Sequence, residues 1–358
     1  MASGNLRFHL TPLPHGGDLG SLLRHKGGDK AQWLDLSSAC NRVPWCPPAS
    51  FIEPWSGLPD LTPLKLAATA YYGAEPAVIG AGTQQLIEAL PPLWRVQYGL
   101  GVVMIPAIGY REHGFAWDKW GFTIRTYENV AELLDQDWQV AVVIHPNNPT
   151  GDVVSFALQQ ELMECLTAHP DRLLVWDEAF IDVTPEQSLL NKDHFATLPD
   201  NLAVLRSVGK FYGLEGFRVG FLFGLPKQRA FLQSQMGPWP IASISVARVS
   251  GALLDREWQQ TTRERLVEQM LAFKERVIPK FCSVFDSVEY QLTPFFCTWF
   301  LDDALQAEQV FQSLHQVKVH TRLGEGWIRV AMPTFSELET LNSRLTSLIS
   351  GRYGKELA

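Results

Sequence analysis

Between residues 78 and 205 short apolar runs alternate with longer amphipathic ones, and that rhythm leaves few folds open to the chain. Residues 78–80 read as a strand that enters a glycine-rich bend and a helix continuing through Leu90. Further strands are expected at 101–105, 140–145, 173–177 and 202–205, with helices at 110–120 and 156–167. A β-α series of this kind builds a mostly parallel sheet with both faces covered by helices. Open sheets of that type bind ligands beyond the C-terminal ends of their strands, so the residues that follow each strand are the first candidates for chemistry.

Four such strand ends carry suitable groups. After the first strand, Ala81-Gly82-Thr83 opens a helix whose backbone N–H groups, with the Thr83 hydroxyl, suit an anion. The bend lacks the third glycine of a dinucleotide fingerprint, and a tight connection is the plain alternative. Pro146-Asn147-Asn148-Pro149-Thr150-Gly151 ends another strand in a rigid loop, where the proline restricts the backbone of Asn148. The strand 173–177 finishes in Asp177 and Glu178. A carboxylate at a buried strand end needs a cation or a proton donor, and a protonated pyridine nitrogen is one such donor. Loop capping is the alternative for Asp177, and a surface position for Glu178. Finally Ser207-Val208-Gly209-Lys210, followed by Arg218, places a lysine at a strand edge among aromatic and glycine neighbours. Desolvation there would favour the neutral amine, which attacks carbonyls to form a Schiff base, while Ser207 and Arg218 suit a phosphate dianion. A lone Ser-x-x-Lys favours the reading of a surface lysine before a turn; the upstream partners reverse that.

Composition narrows the partners. The 358 residues are 46% hydrophobic and 19% charged, with a net charge of -8 and no Lys/Arg run, which argues against nucleic acid or an anionic membrane as partner. Cys40, Cys46, Cys165, Cys282 and Cys297 are odd in number and form no Cys-x-x-Cys pair, as expected for reduced thiols in a cytoplasmic enzyme. With no His-x-x-x-His or mixed Cys/His spacing, no metal is expected. The first residues lack the apolar segment of a signal peptide, so the expectation is a protein that stays where it is made.

Outside the alternating region, residues 1 to about 60 read as an irregular arm in which His15-Gly16-Gly17 offers an imidazole and backbone N–H groups to an anion, or simply makes a turn. Residues 62–72 have the first-turn chemistry and the Gly73 stop of a helix. A helical region from 243 to about 280 carries Glu257, Arg263, Glu264, Arg265, Glu268 and Glu275 on its polar face. From 281 the pattern shifts to short strands and helices, with Thr334 and Glu337 as a capping box for the last helix. Arg322 and Arg329 fall on or beside adjacent strands of this smaller α+β unit, where they suit two anionic groups or a structural pairing.

Asn148-Pro149-Thr150-Gly151, Asp177-Glu178-Ala179-Phe180, and Ser207-x-x-Lys210 with Arg218 together resemble the class I/II aminotransferase superfamily, the fold-type-I pyridoxal phosphate enzymes, over nearly the whole chain. The resemblance implies an α/β fold: a large domain with a mainly parallel seven-stranded sheet flanked by helices, and a smaller α+β domain formed by the N-terminal arm and the C-terminal segment. It divides the chain into an arm (1–45), a large cofactor-binding domain (46–275) and a C-terminal part (276–358), in a homodimer. It implies pyridoxal 5'-phosphate joined to Lys210, with Asp177 at the pyridine nitrogen, Asn148 at the phenolate oxygen and Tyr110 stacked on the ring. Gly82, Thr83, Ser207 and Arg218 would hold the cofactor phosphate, and Arg329 the substrate α-carboxylate.

Within the superfamily, His15-Gly16-Gly17, Asp35-Leu36-Ser37, Tyr110-x-Glu112-His113 and the run from Asp177 to Asp182 resemble the threonine-phosphate decarboxylase branch of cobalamin biosynthesis. That branch implies Arg322, helped by His15, Gly16, Gly17 and Asn41, at the phosphate of a small phosphorylated amino acid, and release of carbon dioxide from L-threonine O-3-phosphate. Histidinol-phosphate aminotransferases share much of the pattern and give the alternative reaction. A cofactor-binding protein without catalysis is a third reading, motivated by two departures: Leu58 stands where a tyrosine is expected to cross the dimer interface, and Gly209 removes a hydroxyl before the lysine. Phe180 also replaces a tyrosine found in many aminotransferases.

Overall fold

The computed structural model describes residues 15–356 apart from 53, 55, 194, 196 and 286–288. Its chain divides into two compact units, the first formed by residues 45–256 and the second by 15–44 with 257–356. The long helix Arg256–Arg276 therefore groups with the second unit rather than with the strands that precede it.

The first unit is built on a seven-stranded sheet in the order 78–80, 220–224, 202–207, 173–177, 140–144, 102–106, 123–127. All neighbours pair in parallel except along Gly220–Gly224, which runs antiparallel to both strands beside it. The three central strands 140–144, 173–177 and 202–207 are buried at every residue. They read as continuous apolar runs because helices cover both faces of a parallel sheet. One face packs against Leu86, Leu90 and Trp94 of the helix Thr83–Tyr98 and Ala116 and Trp117 of the helix Glu112–Lys119.

Several local expectations are corrected. The helix expected to end at Leu90 runs on to Tyr98 through Pro91 and Pro92, because the buried Leu93 and Trp94 anchor the turn beyond them. The edge strand Thr123–Tyr127 escapes an apolar search since three of its five residues are exposed. In the arm, read as irregular, residues Leu19–Lys26 form a helix too short to show a clear period.

In the second unit a four-stranded antiparallel sheet, ordered 322–324, 327–331, 296–300, 290–292, packs against helices including Ala304–Gln316 and Phe335–Glu356. The arm joins this unit through the parallel pair Leu34–Asp35 and Val319–His320. At the start of the last helix Thr334 Oγ1 accepts from Glu337 N at 3.3 Å while Glu337 Oε2 accepts from Thr334 N at 2.9 Å, the capping box expected from the sequence. Glu337 is also held by Arg42 Nε at 2.7 Å.

Candidate active site

Gly82, Thr83, Tyr110, Asn148, Asp177, Ser207, Lys210 and Arg218 all line one pocket at the C-terminal edge of the large sheet, together with Gln84, Phe180 and Glu215. They come from five separate connections, and the parallel strand order is what brings these distant stretches together.

The first connection is shaped by close approach. Gly82 has φ 77°, and a Cβ there would lie 2.4 Å from Arg218 Nη2. Across the sheet edge a Cβ on Gly220 would lie 2.4 Å from Thr83 N, so the strand 220–224 passes hard against the start of the helix Thr83–Tyr98. Arg218 itself sits in the left-handed region at φ 52°, with Nη1 donating to the Glu215 carbonyl at 3.1 Å. A guanidinium, a hydroxyl at Ser207 and the N-terminus of a 16-residue helix thus surround a space that only a glycine leaves open. The donors and the shape fit a phosphate. Replacing Gly82 with Ala would force both the positive φ and the collision with Arg218. Cofactor affinity is expected to fall about tenfold, or ~1.4 kcal/mol, measured by titrating the apoprotein with cofactor and following absorbance.

Asp177 lines the same pocket. It is buried, its Oδ1 accepting from Ala179 N at 3.0 Å and its Oδ2 from His113 Nε2 at 2.9 Å. An ionised carboxylate accepts only, so His113 carries its proton on Nε2 in this contact. His113 lies one helical turn beyond Tyr110, in the motif Tyr110-x-Glu112-His113. Its place as partner of Asp177 is a role that sequence reasoning missed. A histidine three residues after a pocket aromatic at a helix start was the available signal.

Tyr110 donates to Gln84 Oε1 at 3.3 Å, and Gln84 Nε2 in turn donates to Glu112 at 3.1 Å. Burial, with the negative charges of Glu112 and Asp177, raises the Tyr110 phenol above its ordinary value and keeps it protonated. Lys210 is half-buried, its Nζ 5.4 Å from the centroid of the Phe180 ring. The loop beside Asn148 is pinned by its neighbour: Asn147 Nδ2 donates to the Ile108 carbonyl and to Thr150 Oγ1, both at 2.8 Å. At Gly209 a Cβ would meet Glu215 Cα at 3.2 Å, so the hydroxyl-bearing side chain found missing in the sequence has little room here.

Glu178, left open as a surface residue, is wholly buried. Its Oε2 accepts from Ser188 Oγ at 2.6 Å and Arg206 Nη1 at 3.0 Å, and its Oε1 from Leu189 N at 2.8 Å. Arg206 also bonds Asp182, which accepts from Tyr71 at 3.0 Å. Burial alone would lower the Arg206 pKa, but Asp182 and Glu178 outweigh it and hold the guanidinium above its ordinary value. The pair of carboxylates after the strand thus splits, one oxygen pair facing the pocket and the other bracing the strand ends beneath it.

The remaining candidates, His15, Gly16, Gly17, Asn41, Arg322 and Arg329, belong to the second unit. Arg322 and Arg329 are direct partners across the antiparallel strands 322–324 and 327–331. Like charges opposite each other destabilise a strand pair unless an anion answers them. Burial first, and then the neighbouring Arg322 charge, pushes Arg329 down to about 10, still charged at neutral pH. Arg329 Nη2 donates to the Ser37 carbonyl at 2.8 Å. The turn at 15–17 rests on the same residue: Gly17 N donates to Ser37 Oγ at 2.8 Å, and a Cβ on Gly16 would lie 2.3 Å from the Ser37 carbonyl oxygen. Asn41 is buried, its Oδ1 accepting from Val43 N at 3.0 Å and from Arg265 Nη2 at 3.4 Å. Ser37 and Arg265 were not among the residues singled out from the sequence as candidates for this region.

Comparison with known proteins bears on these features. Residues 51–345 match the family model for aminotransferase class I and II. The chain is 38% identical to a threonine-phosphate decarboxylase of Pseudomonas aeruginosa over 71% of its own length and 75% of that protein's. It is 28% identical to a histidinol-phosphate aminotransferase of Sodalis glossinidius over 70% of this chain and 69% of the relative. Among solved structures, a histidinol-phosphate aminotransferase from Sinorhizobium meliloti in complex with pyridoxal-5'-phosphate superposes with TM-score 0.68 at 20% identity, covering 82% of this chain and 83% of that one.

Proposed function

Because this chain belongs to the class I and II aminotransferase family and its cofactor is pyridoxal 5'-phosphate, we propose that it decarboxylates L-threonine O-3-phosphate to (R)-1-amino-2-propanol O-2-phosphate and carbon dioxide, a step of cobalamin biosynthesis. The observation that carries the reading is the cross-strand pair Arg322 and Arg329. Threonine phosphate bears a carboxylate and a phosphate on a short carbon skeleton, which suits two cations side by side. Histidinol phosphate bears a phosphate and no carboxylate. The relative at 38% identity supports the same choice.

In this reading the cofactor supplies an electron sink. Lys210 would join it covalently, Gly82, Thr83, Ser207 and Arg218 would hold its phosphate, Asn148 would donate to its ring oxygen and Tyr110 would stack on its ring. The Asp177 carboxylate would accept from the protonated pyridine nitrogen, with His113 keeping that carboxylate oriented. Arg329 receives the substrate α-carboxylate; Arg322, with Asn41 and the turn His15-Gly16-Gly17, receives the substrate phosphate. Holding the two anions on separate groups would let the protein fix the orientation of the substrate about its α-carbon. We further propose a cytoplasmic homodimer; among the described residues no helix is long and apolar enough to cross a membrane.

Purified enzyme given threonine phosphate should release carbon dioxide without any keto acid, and Arg322→Ala should raise the KM at least tenfold while leaving cofactor affinity unchanged. Keto-acid-dependent amino transfer with no carbon dioxide would favour the histidinol-phosphate alternative. A protein that binds cofactor but turns over neither substrate would favour a non-catalytic role.

A further inference from the structure

Behind the turn at 15–17 the second unit holds a chain of three titratable groups that the reaction does not use. Asp18 begins the helix Leu19–Lys26, its carbonyl accepting from Ser21 N at 2.7 Å and Leu22 N at 3.1 Å. An aspartate in that position ordinarily caps the helix with its own carboxylate. Here the side chain makes no cap, and Oδ1 instead accepts from His320 Nε2 at 2.9 Å. The second nitrogen of His320, Nδ1, lies 2.9 Å from His315 Nε2. Both imidazoles are buried, and Phe311 packs 4.0 Å from the His315 ring with Trp33 set edge-on at 5.1 Å.

The hydrogen-bond order follows from the acceptors. An ionised Asp18 only accepts, so His320 carries a proton on Nε2. In its neutral form His320 then has an acceptor at Nδ1, and His315 must donate from Nε2. Donation runs His315 to His320 to Asp18, and each ring is fixed by the next. In the sequence two members of this relay, Asp18 and His320, fall beside the groups assigned to the substrate phosphate. Asp18 directly follows Gly17, and His320 stands two residues before Arg322 on a segment whose backbone accepts from Leu36 N at 2.7 Å.

We infer that Asp18, His320 and His315 are positioning residues that set the turn His15-Gly16-Gly17 against the strand of Arg322, and so determine affinity for the phosphate end of the substrate. The inference rests on the assignment of that turn and Arg322 to the phosphate. Its reach is limited to binding: none of the three groups is among the residues that line the cofactor pocket.

The test uses the holoenzyme and three variants. Asp18→Ala should raise the KM for threonine phosphate about tenfold, the scale of one charge-assisted hydrogen bond, with kcat and cofactor affinity unchanged. Asp18→Asn keeps an acceptor for His320 and should recover most of that loss. Arg322→Ala reports on the assignment itself. A raised KM in Arg322→Ala beside a normal KM in Asp18→Ala would overturn this inference and spare the assignment. A normal KM in Arg322→Ala would sink both. Loss of kcat together with KM in Asp18→Ala, or an Asn variant no better than Ala, would show a general disturbance and also overturn it. Thermal unfolding of each variant separates a folding defect from a binding one.

Discussion

Lys210→Ala should lose more than about 10³-fold in turnover, the range that positioned acid-base and covalent groups supply, and should lose the visible absorbance of cofactor joined to the chain. Two properties of the pocket make the effect large. Lys210 is the amine among the pocket-lining residues, where Arg218 is the other cation and cannot act as a nucleophile because its guanidinium stays protonated. The groups around it are also independent of it: Asp177 is held by His113 and Ala179, and Gly82 and Arg218 are fixed by backbone geometry. The variant should therefore still bind pyridoxal 5'-phosphate, noncovalently and more weakly. Borohydride treatment followed by mass analysis checks this directly, since wild type should retain the cofactor on the peptide containing residue 210 and the variant should not. Cofactor fixed elsewhere on the chain would mean that the lysine has been misassigned.

What the sequence made legible, and what it hid, divides along one physical line. Residues at the ends of the central strands were readable because three apolar runs end abruptly in polar groups. The α/β class and the eight expected cofactor residues follow from that pattern and from the family resemblance together. The arginine pair could be read too, because Arg322 and Arg329 flank a turn at Glu325-Gly326 and so fall opposite each other. Hidden were features that depend on where a side chain goes after leaving its own element. Glu178 and Asp177 are neighbours with the same chemistry, and nothing local says that one faces the pocket and the other turns to Arg206. His113 needed the position of a strand about sixty residues away, and the Asp18 relay needed a partner from the far end of the chain. Strands 123–127 and 220–224 were also hidden, the first by its exposed polar residues and the second by lying between glycines.

Removing the Arg206 guanidinium should be the most destabilising single change outside the apolar core. In Arg206→Met, Glu178 and Asp182 stay buried with no cation between them, and breaking one side of a buried ion pair costs about 3–5 kcal/mol. A charged residue inside the apolar run 202–207 is tolerated only because both carboxylates and the face of Tyr72, 4.5 Å from the guanidinium carbon, receive it. The pH dependence has a definite sign. Burial already raises Glu178 above its ordinary value, with Arg206 pulling against it. Without Arg206 the folded-state value rises further, and the folded protein binds more protons than the unfolded chain over the window between the ordinary carboxylate value and the raised one. Stability in that window falls as pH rises. Urea unfolding of Arg206→Met should therefore show a larger deficit against wild type at pH 8 than at pH 5.5. Adding Glu178→Gln and Asp182→Asn to Arg206→Met should flatten that pH dependence and restore part of the loss, because no ionisable group is then left uncompensated. A deficit that is the same at both pH values, or that the added amides deepen, would mean that the arginine acts through packing against Tyr72 rather than through charge.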